Sequence, residues 1–453
     1  MATTVAASSR RNQLAWALYD WASGPFIITV ASVFLGPYLT NLAKAGADSA
    51  GMVHIAGLTV AAGALFPYTV SFSVLLQLLV MPVAGAVGDS WGHKKLMFGA
   101  FAYAGALAAG GLYFLRGTNY GLGAALFVVA NVAYGASFVM YDSFLNEVAA
   151  ADERHRVSAL GWSLGALASG LLLLANVVAV AKAGALGLTT ADAVRISLAS
   201  AGVWWAVFAV IPLVGIRLPA RAAPARSSGL AWLTRGYRDL PRYRQSMWFL
   251  IAYLIYNDGV QTVATMASQF GQEELHISID VIASVVLLAQ FVGMLSTFGS
   301  IQLAKRIGGK AAICASLLLW TAAVVYAYGW LYTTAQYVGV GVVFAVAWGG
   351  TQSLSRSLFS LLIPRGREAE YFGVFMISSR GTSWLGPLLF GLALQFSHSY
   401  RVALVSLVVF FLTGMAVLLR VNVEQGALQA AAEPGGDNAL TARSIAAVAG
   451  AYD

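Results

Sequence analysis

Trp16-Ala17-Leu18-Tyr19-Asp20-Trp21-Ala22-Ser23-Gly24-Pro25 sets an aspartate and a proline inside an apolar run that reaches from about Leu14 to Leu39. In hydrocarbon an ionised side chain costs roughly 2.5–3.5 kcal/mol even on lenient insertion scales, so such a residue faces protein or a water-filled path. Related text returns at Ile255-Tyr256-Asn257-Asp258-Gly259. The echo predicts a duplicated membrane protein whose unusual polar positions line a route across the bilayer.

Composition agrees. The chain has 453 residues, 59% of them hydrophobic and only 10% charged, with a mean hydropathy of +0.74. That is too little polar surface to clothe soluble cores, whereas apolar runs long enough to cross about 30 Å of hydrocarbon recur throughout. The lone Cys314 excludes a disulfide framework and a cysteine metal site. Met1 to Arg10 is small and polar with no charged-then-apolar leader, so no cleaved signal peptide is expected. The net charge of +8 sits in particular loops, which is a topology signal and not a nucleic-acid stripe.

Apolar runs predict spans near 14–39, 61–88, 95–115, 121–146, 157–181 and 197–215, then 246–270, 279–303, 311–331, 336–363, 371–396 and 401–420. The expected fold class is an all-α integral membrane protein, twelve transmembrane helices as two six-helix pseudo-symmetric halves. The expected domains are a cytoplasmic N-terminal segment (1–13), an N-terminal half (14–216), a basic cytoplasmic linker (217–245), a C-terminal half (246–420) and a weakly structured cytoplasmic tail (421–453). With the N-terminus inside, the cytoplasmic segments hold twenty Lys and Arg residues. The outer segments keep five: Lys44, Arg116, Lys182, Arg195 and Arg401. This asymmetry places both termini in the cytoplasm. The linker arginines fix topology and meet anionic headgroups.

The halves share more than hydropathy. Ala133-Tyr134-Gly135-Ala136 with Asp142-Ser143-Phe144-Leu145 matches Ala347-Trp348-Gly349-Gly350 with Arg356-Ser357-Leu358-Phe359 at an offset of 214. Leu18-Tyr19-Asp20 matches Ile255-Tyr256-Asn257. At helical spacing Asn131, Gly135, Phe138 and Asp142 form one stripe, Trp348, Gln352 and Arg356 a second, and Tyr253, Asn257 and Gln261 a third. Stripes that mix aromatic, amide and charged groups should face the bundle and not lipid.

Between the second and third spans lies Gly85-Ala86-Val87-Gly88-Asp89-Ser90-Trp91-Gly92-His93-Lys94-Lys95, where glycines permit a tight turn and lysines fix the cytoplasmic side. This loop resembles that of the major facilitator superfamily, with Ser90 at a usually basic position. A degenerate second copy runs from Lys305 to Lys310. Tyr19-Asp20-Trp21-Ala22, Arg156-Val157-Ser158-Ala159-Leu160-Gly161-Trp162, Tyr256-Asn257-Asp258-Gly259-Val260-Gln261-Thr262 and Ser379-Arg380-Gly381-Thr382-Ser383-Trp384-Leu385-Gly386-Pro387-Leu388 resemble, in order, the autophagy-related vacuolar amino-acid effluxer family and its bacterial members. Ser23 stands where asparagine is usual, and Asn146 where proline is usual. The resemblance implies the major facilitator fold, secondary transport and, from fungal members, amino-acid efflux.

Asp20 is a candidate protonation or substrate-ammonium site. Its structural alternative is a carboxylate bonded to indole or backbone donors that holds helices together. Asp258 is the deeper acid, a lone carboxyl able to carry a proton or one held charged by a neighbouring arginine. Arg380 can clamp a substrate carboxylate, and Arg356 suits the gate; either can instead form an ion pair with Asp142, Asp20 or Asp258. The substrate-binding or ion-coupling set is Tyr19, Asp20, Asn131, Asp142, Tyr256, Asn257, Asp258, Gln261, Trp348, Gln352 and Arg380. The cytoplasmic gate set is Asp89, Lys94, Lys95, Glu147, Arg154, Arg156, Arg356, Arg367 and Glu368.

The histidines at 54, 93, 155, 276 and 398 lack metal-ligand spacing, and neither a nucleophile elbow nor a P-loop is present. No enzyme activity, cofactor or metal is expected. The expected partners are a small-molecule substrate, a proton and membrane lipid, with no nucleic acid, in a monomer of a bacterial cell membrane. The expected function is export of an amino acid or related metabolite by alternating access. Its rivals are an exporter or flippase of lipids or hydrophobic compounds, which needs a large apolar cavity, and a non-transporting sensor or scaffold.

Overall fold

The computed structural model describes residues 10–91, 93–149, 153–217, 242–363, 371, 375 and 383–431. A first long helix, α1 (Arg10–Ala45), leads into an antiparallel hairpin of β1 (Met52–Ile55) and β2 (Leu58–Ala61). Then come α2 (Leu65–Trp91), α3 (Lys94–Gly111), α4 (Tyr120–Val148), α5 (Arg154–Ala181) and α6 (Thr190–Gly215). The later chain forms α7 (Arg244–Glu273), α8 (Ile279–Ile307), α9 (Gly309–Gly329), α10 (Thr334–Leu361), α11 (Leu385–Ser397), α12 (Tyr400–Leu419) and α13 (Val423–Ala431).

Ten of the described helices are long and apolar enough to cross a membrane. Helix α7 has 30 residues, about 45 Å of helix, and its apolar character is diluted by Asn257, Asp258 and Gln261. Helix α11 covers only the later part of the expected 371–396 span. Several helices carry exposed apolar stripes at helical spacing: Leu160, Leu167, Leu171, Leu174 and Val178 on α5, and Leu288, Phe291, Leu295 and Phe298 on α8. Such stripes suit a solvent of acyl chains.

Helix α1 changes register at its proline. Ring closure removes the Pro25 N–H, which would have bonded the Trp21 carbonyl one turn earlier. The Trp204 indole on α6 donates to that carbonyl instead, at 2.9 Å. From Phe26 to Phe34 the helix is π-helical, and Leu35 N–H bonds Val30 O, five residues back. The wider turn resumes α-helical form at Leu35.

The all-α expectation holds for the bundle, and two other expectations need correction. The short hairpin is an addition to that bundle, with pairing segments of only four residues each. Its turn places Ala56 at φ 49° and Gly57 at φ 80°, the two positive angles of a type I′ turn. Just before it, Asp48 Oδ1 accepts from the amides of Ala50 and Met52, both at 2.9 Å. The Met52 amide above all, with that of Ala50 and the His54 imidazole, holds this carboxyl below the usual carboxylate range.

Gly85 and Gly88, expected in a turn, lie inside α2. They pack on α4: a methyl at Gly88 would stand 2.8 Å from Met140 Sδ, and one at Gly85 3.3 Å from Val139. The tail, expected to be weakly structured from 421, opens with α13. Asn422 Oδ1 caps it by accepting from Gln425 N at 2.7 Å, Gln245 Oε1 accepts from Asn422 N at 2.9 Å, and Val423 and Ala427 are buried.

The chain divides into two compact units. One comprises residues 1–229 with 265–272 and 277–287; the other comprises 230–264, 273–276 and 288–453.

Candidate functional site

In the first unit the polar residues of α1 meet α4 and α5. Tyr19 is buried, and its hydroxyl donates to Ser137 Oγ at 2.5 Å. Trp16 stacks on Tyr141 with centroids 4.2 Å apart and donates its indole N–H to the Tyr141 carbonyl at 2.8 Å. Tyr141 is thereby locked, and its hydroxyl donates to Asp20 Oδ2 at 2.6 Å. The half-buried Asp20 lies against two glycines of α5. A methyl at Gly165 would stand 3.1 Å from Asp20 Cβ, and one at Gly161 would overlap Oδ2. The small-residue face of α5 is therefore what admits a carboxylate between helices.

A second cluster joins α2 to α4. Gln77 Nε2 donates to the Asn131 backbone carbonyl at 2.5 Å, and Asn131 Nδ2 donates to Ser73 Oγ at 2.8 Å. Gly135 leaves room for Gln77. Asn131 is thus engaged within the helix pair, and Asp142, on the same sequence stripe, is exposed.

The second unit repeats the plan with altered parts. Tyr256, matching Tyr19, is buried with its hydroxyl 2.6 Å from Ser355 Oγ on α10. Asn257 Oδ1 accepts from Gln352 Nε2 at 2.9 Å. Asp258 is 1% exposed; Oδ2 accepts from the Gly386 amide of α11 at 2.9 Å, and Oδ1 has no hydrogen-bond partner. Gly386 approaches Asp258 as Gly161 approaches Asp20. Asp20 alone reaches both the fourth helix and the glycine of the fifth; in α7 Asn257 contacts α10 and Asp258 contacts the glycine of α11. The split explains why the sequence register aligns Asp20 with Asn257 although the carboxylates share a setting.

Burial follows the 214-residue offset. Tyr134 and Trp348 are half-buried, Tyr141 and Ser355 buried, Asp142 and Arg356 exposed. Gln352 and Gln261 are half-buried. Tyr253, adjacent to this stripe, stacks on Phe375 at 4.2 Å. Arg380, Arg367 and Glu368 lie outside the described residues, as do the side chains of Asp89 and Arg154.

The remaining gate candidates tie helix ends together inside their own unit. Arg156 donates to Gln13 Oε1 at 3.1 Å and to Glu153 Oε1 at 3.0 Å, and Gln13 donates to Glu153 Oε2 at 2.7 Å. Lys95, at the start of α3, donates to the Ile216 carbonyl just past α6 at 2.7 Å. Its counterpart is Lys310, at the start of α9, which donates to the Val421 carbonyl just past α12 at 2.8 Å. An ammonium at a helix C-terminus satisfies an orphan carbonyl and the dipole together. Lys94 and Glu147 are half-buried.

Sequence reasoning missed Tyr141, Ser137, Ser355, Gln77 and Gln13 as partners. Gly161 and Gly386 stood within the quoted blocks, but no residue of either block disclosed that they face an acid. A cavity of about 440 Å³ in the first unit is bounded by Asn41, Thr190, Gln272, Ser278 and Asp280, among others, and holds none of the candidates. No group of metal-ligating side chains occurs among the described residues.

A family model described as "Vacuole effluxer Atg22 like" matches residues 8–431. The MFS-type transporter YxiO of Bacillus subtilis (strain 168) is 28% identical over 420 residues, covering 91% of this chain and 95% of that one. Autophagy-related protein 22 of Eremothecium gossypii is 27% identical, covering 93% of each chain. Among solved structures, a D-xylose-proton symporter aligns with a TM-score of 0.67 at 12% identity, over 90% of this chain and 96% of its own. A bacterial homolog of the human lysosomal transporter Spinster aligns at 0.64 with 14% identity, over 94% and 98%. These two likenesses concern the fold alone: twelve transmembrane helices in two six-helix halves.

Proposed function

From a chain that belongs to the vacuole effluxer Atg22-like family, and is therefore a multi-pass membrane transporter of the major facilitator type and not an enzyme, we propose a secondary transporter that exports an amino acid or a related small amphipathic metabolite. Alternating access is coupled to protons in this reading. In this reading the protein is a monomer; its place in a bacterial cell membrane with both termini in the cytoplasm is supported by the Bacillus relative and the loop charges.

One observation carries the proposal: each half seats an aspartate at a glycine of its fifth helix, inside a largely apolar bundle. Intramembrane acids persist where they do work, because their exposure to lipid is costly. The family's description as a vacuole effluxer supports export, and the amino-acid class is what the resemblance of the four sequence blocks implies.

The test uses purified protein in proteoliposomes loaded with radiolabelled neutral, aromatic or basic amino acids, under an imposed pH gradient. Gradient-dependent efflux above that of empty vesicles is expected, and Asp20→Asn should lower its initial rate by about tenfold or more, equivalent to ~1.4 kcal/mol. Absence of efflux and counterflow for every amino acid tested would remove this substrate class. Asp20→Asn transport at the wild-type rate would remove the acid from the mechanism.

A further inference from the structure

Asp20 and Asp258 share a setting but not a bonding state. Tyr141 donates to Asp20, which stays half-buried. Asp258 is almost wholly enclosed, with Oδ2 bonded to the Gly386 amide and Oδ1 bonded to nothing. A buried carboxylate oxygen without a donor is destabilising by the full cost of its lost hydration. We propose that Asp258 Oδ1 is the binding site of the coupling proton and that its occupancy controls the joint between α7 and α11. The assignment rests on the proton-coupled reading above for its purpose, though not for its chemistry.

Space selects the ligand. A methyl group at Gly386 would stand 3.0 Å from Asp258 Oδ1 and overlap the Thr262 hydroxyl. A hydrated cation is larger than that methyl and an ammonium group is about its size, so neither fits where the methyl overlaps Thr262, whereas a proton needs no volume. Among the described residues, the neighbouring elements bring no counter-charge to the oxygen. Helix α11 has no titratable side chain between Leu385 and Ser397. From α10, Gln352 bonds Asn257, and Arg356 is exposed. From α9 the half-buried Cys314 is a neutral thiol, and the Tyr256 hydroxyl of α7 is paired with Ser355. From α12, Phe410 and Phe411 close on Gly259.

The step balances simply. A hydronium ion passes its proton to Oδ1 and leaves as water, the carboxylate loses its negative charge, and release runs the reverse. In the charged state the Gly386 amide donates to an anion, one of the stronger kinds of hydrogen bond. In the protonated state that bond becomes an ordinary one, and Oδ1–H becomes a donor; the acceptor this reading assigns to it is the Thr262 hydroxyl one turn along α7, which donates to the Asp258 backbone carbonyl and keeps its lone pairs free. Proton binding thus loosens the contact between α7 and α11 and offers in exchange one within α7 itself, a differential effect of the kind a coupling ion needs to shift a two-state carrier.

Infrared difference spectroscopy of the purified full-length protein in lipid, titrated with pH, tests this without any substrate. A protonated-carboxyl C=O band, recognised by its shift in D2O, should titrate in the wild type, vanish in Asp258→Asn and persist in Asp20→Asn. A band of unchanged amplitude in Asp258→Asn, a band lost only in Asp20→Asn, or no titrating band in the wild type would overturn the proposal. Should Asp258→Asn fail to fold, Thr262→Ala decides: removal of the hydroxyl should shift the band, and an unshifted band sinks the assignment. A band at Asp258 in a protein that moves no solute would defeat the transport reading and leave the proton site standing. Proton-driven efflux with no such band would do the opposite.

Discussion

Tyr141 illustrates how one residue sets the state of another. Its ring is held by the Trp16 stack and its carbonyl by the Trp16 indole, so the hydroxyl reaches Asp20 without further loss of rotamer freedom. Tyr141→Phe keeps the ring and removes only the donor. The expected result is a loss of about 1–3 kcal/mol of stability, the cost of leaving a partly buried acceptor unmatched, read as a lower Tm of the purified protein. Asp20→Asn/Tyr141→Phe should then cost less than the two single changes summed, and additivity would show that the pair does not interact. The sequence marked Asp20 as anomalous because polarity in an apolar run is visible in one dimension. Its donor lies 121 residues away, and a tyrosine in a helix announces no partner. Gly161 and Gly386 were legible as small residues in ordered blocks. What they accommodate was not, since a missing side chain names no neighbour.

At the level of elements, the apolar runs located the helices because membrane solvation acts on composition alone. The hairpin escaped for the same reason: eight paired residues outside the bilayer have no such constraint. Helix α7, placed by its apolar run and singled out by its echo of α1, is the least apolar of the long spans, as a helix carrying Asn257, Asp258 and Gln261 must be. Its twin α1 carries the π-helical stretch, foreshadowed by Pro25 but not readable in extent. The proline account predicts an energetic link across two helices. Trp204→Phe should cost about 1–2 kcal/mol by orphaning the Trp21 carbonyl. In a Pro25→Ala background, where residue 25 regains an N–H for that carbonyl, the same change should cost clearly less. Thermal denaturation of the four proteins of this cycle decides, and equal costs in both backgrounds would show that the indole does not replace the proline's missing donor.

For the whole molecule, the repeat is more faithful in its bonds than in its letters. Lys95 and Lys310 belong to loops that share little text, yet each joins the start of a third helix to the carbonyl just past a sixth. Lys95→Met and Lys310→Met should each lower stability by about 1–2 kcal/mol, because an orphan carbonyl and a charge-assisted bond are involved in both. Their effects should add in the double variant, since the two bonds share no partner; strong non-additivity in Tm would sink the idea of separate clasps. The clasps also set a schedule for synthesis. On the ribosome, Lys95 waits for Ile216, close to the trailing end of its half, so its clasp can form while most of the second half is still to be made. The second fastening waits in turn for Val421. Each half therefore carries its own completion signal at its trailing end, and the nascent chain matures in two instalments.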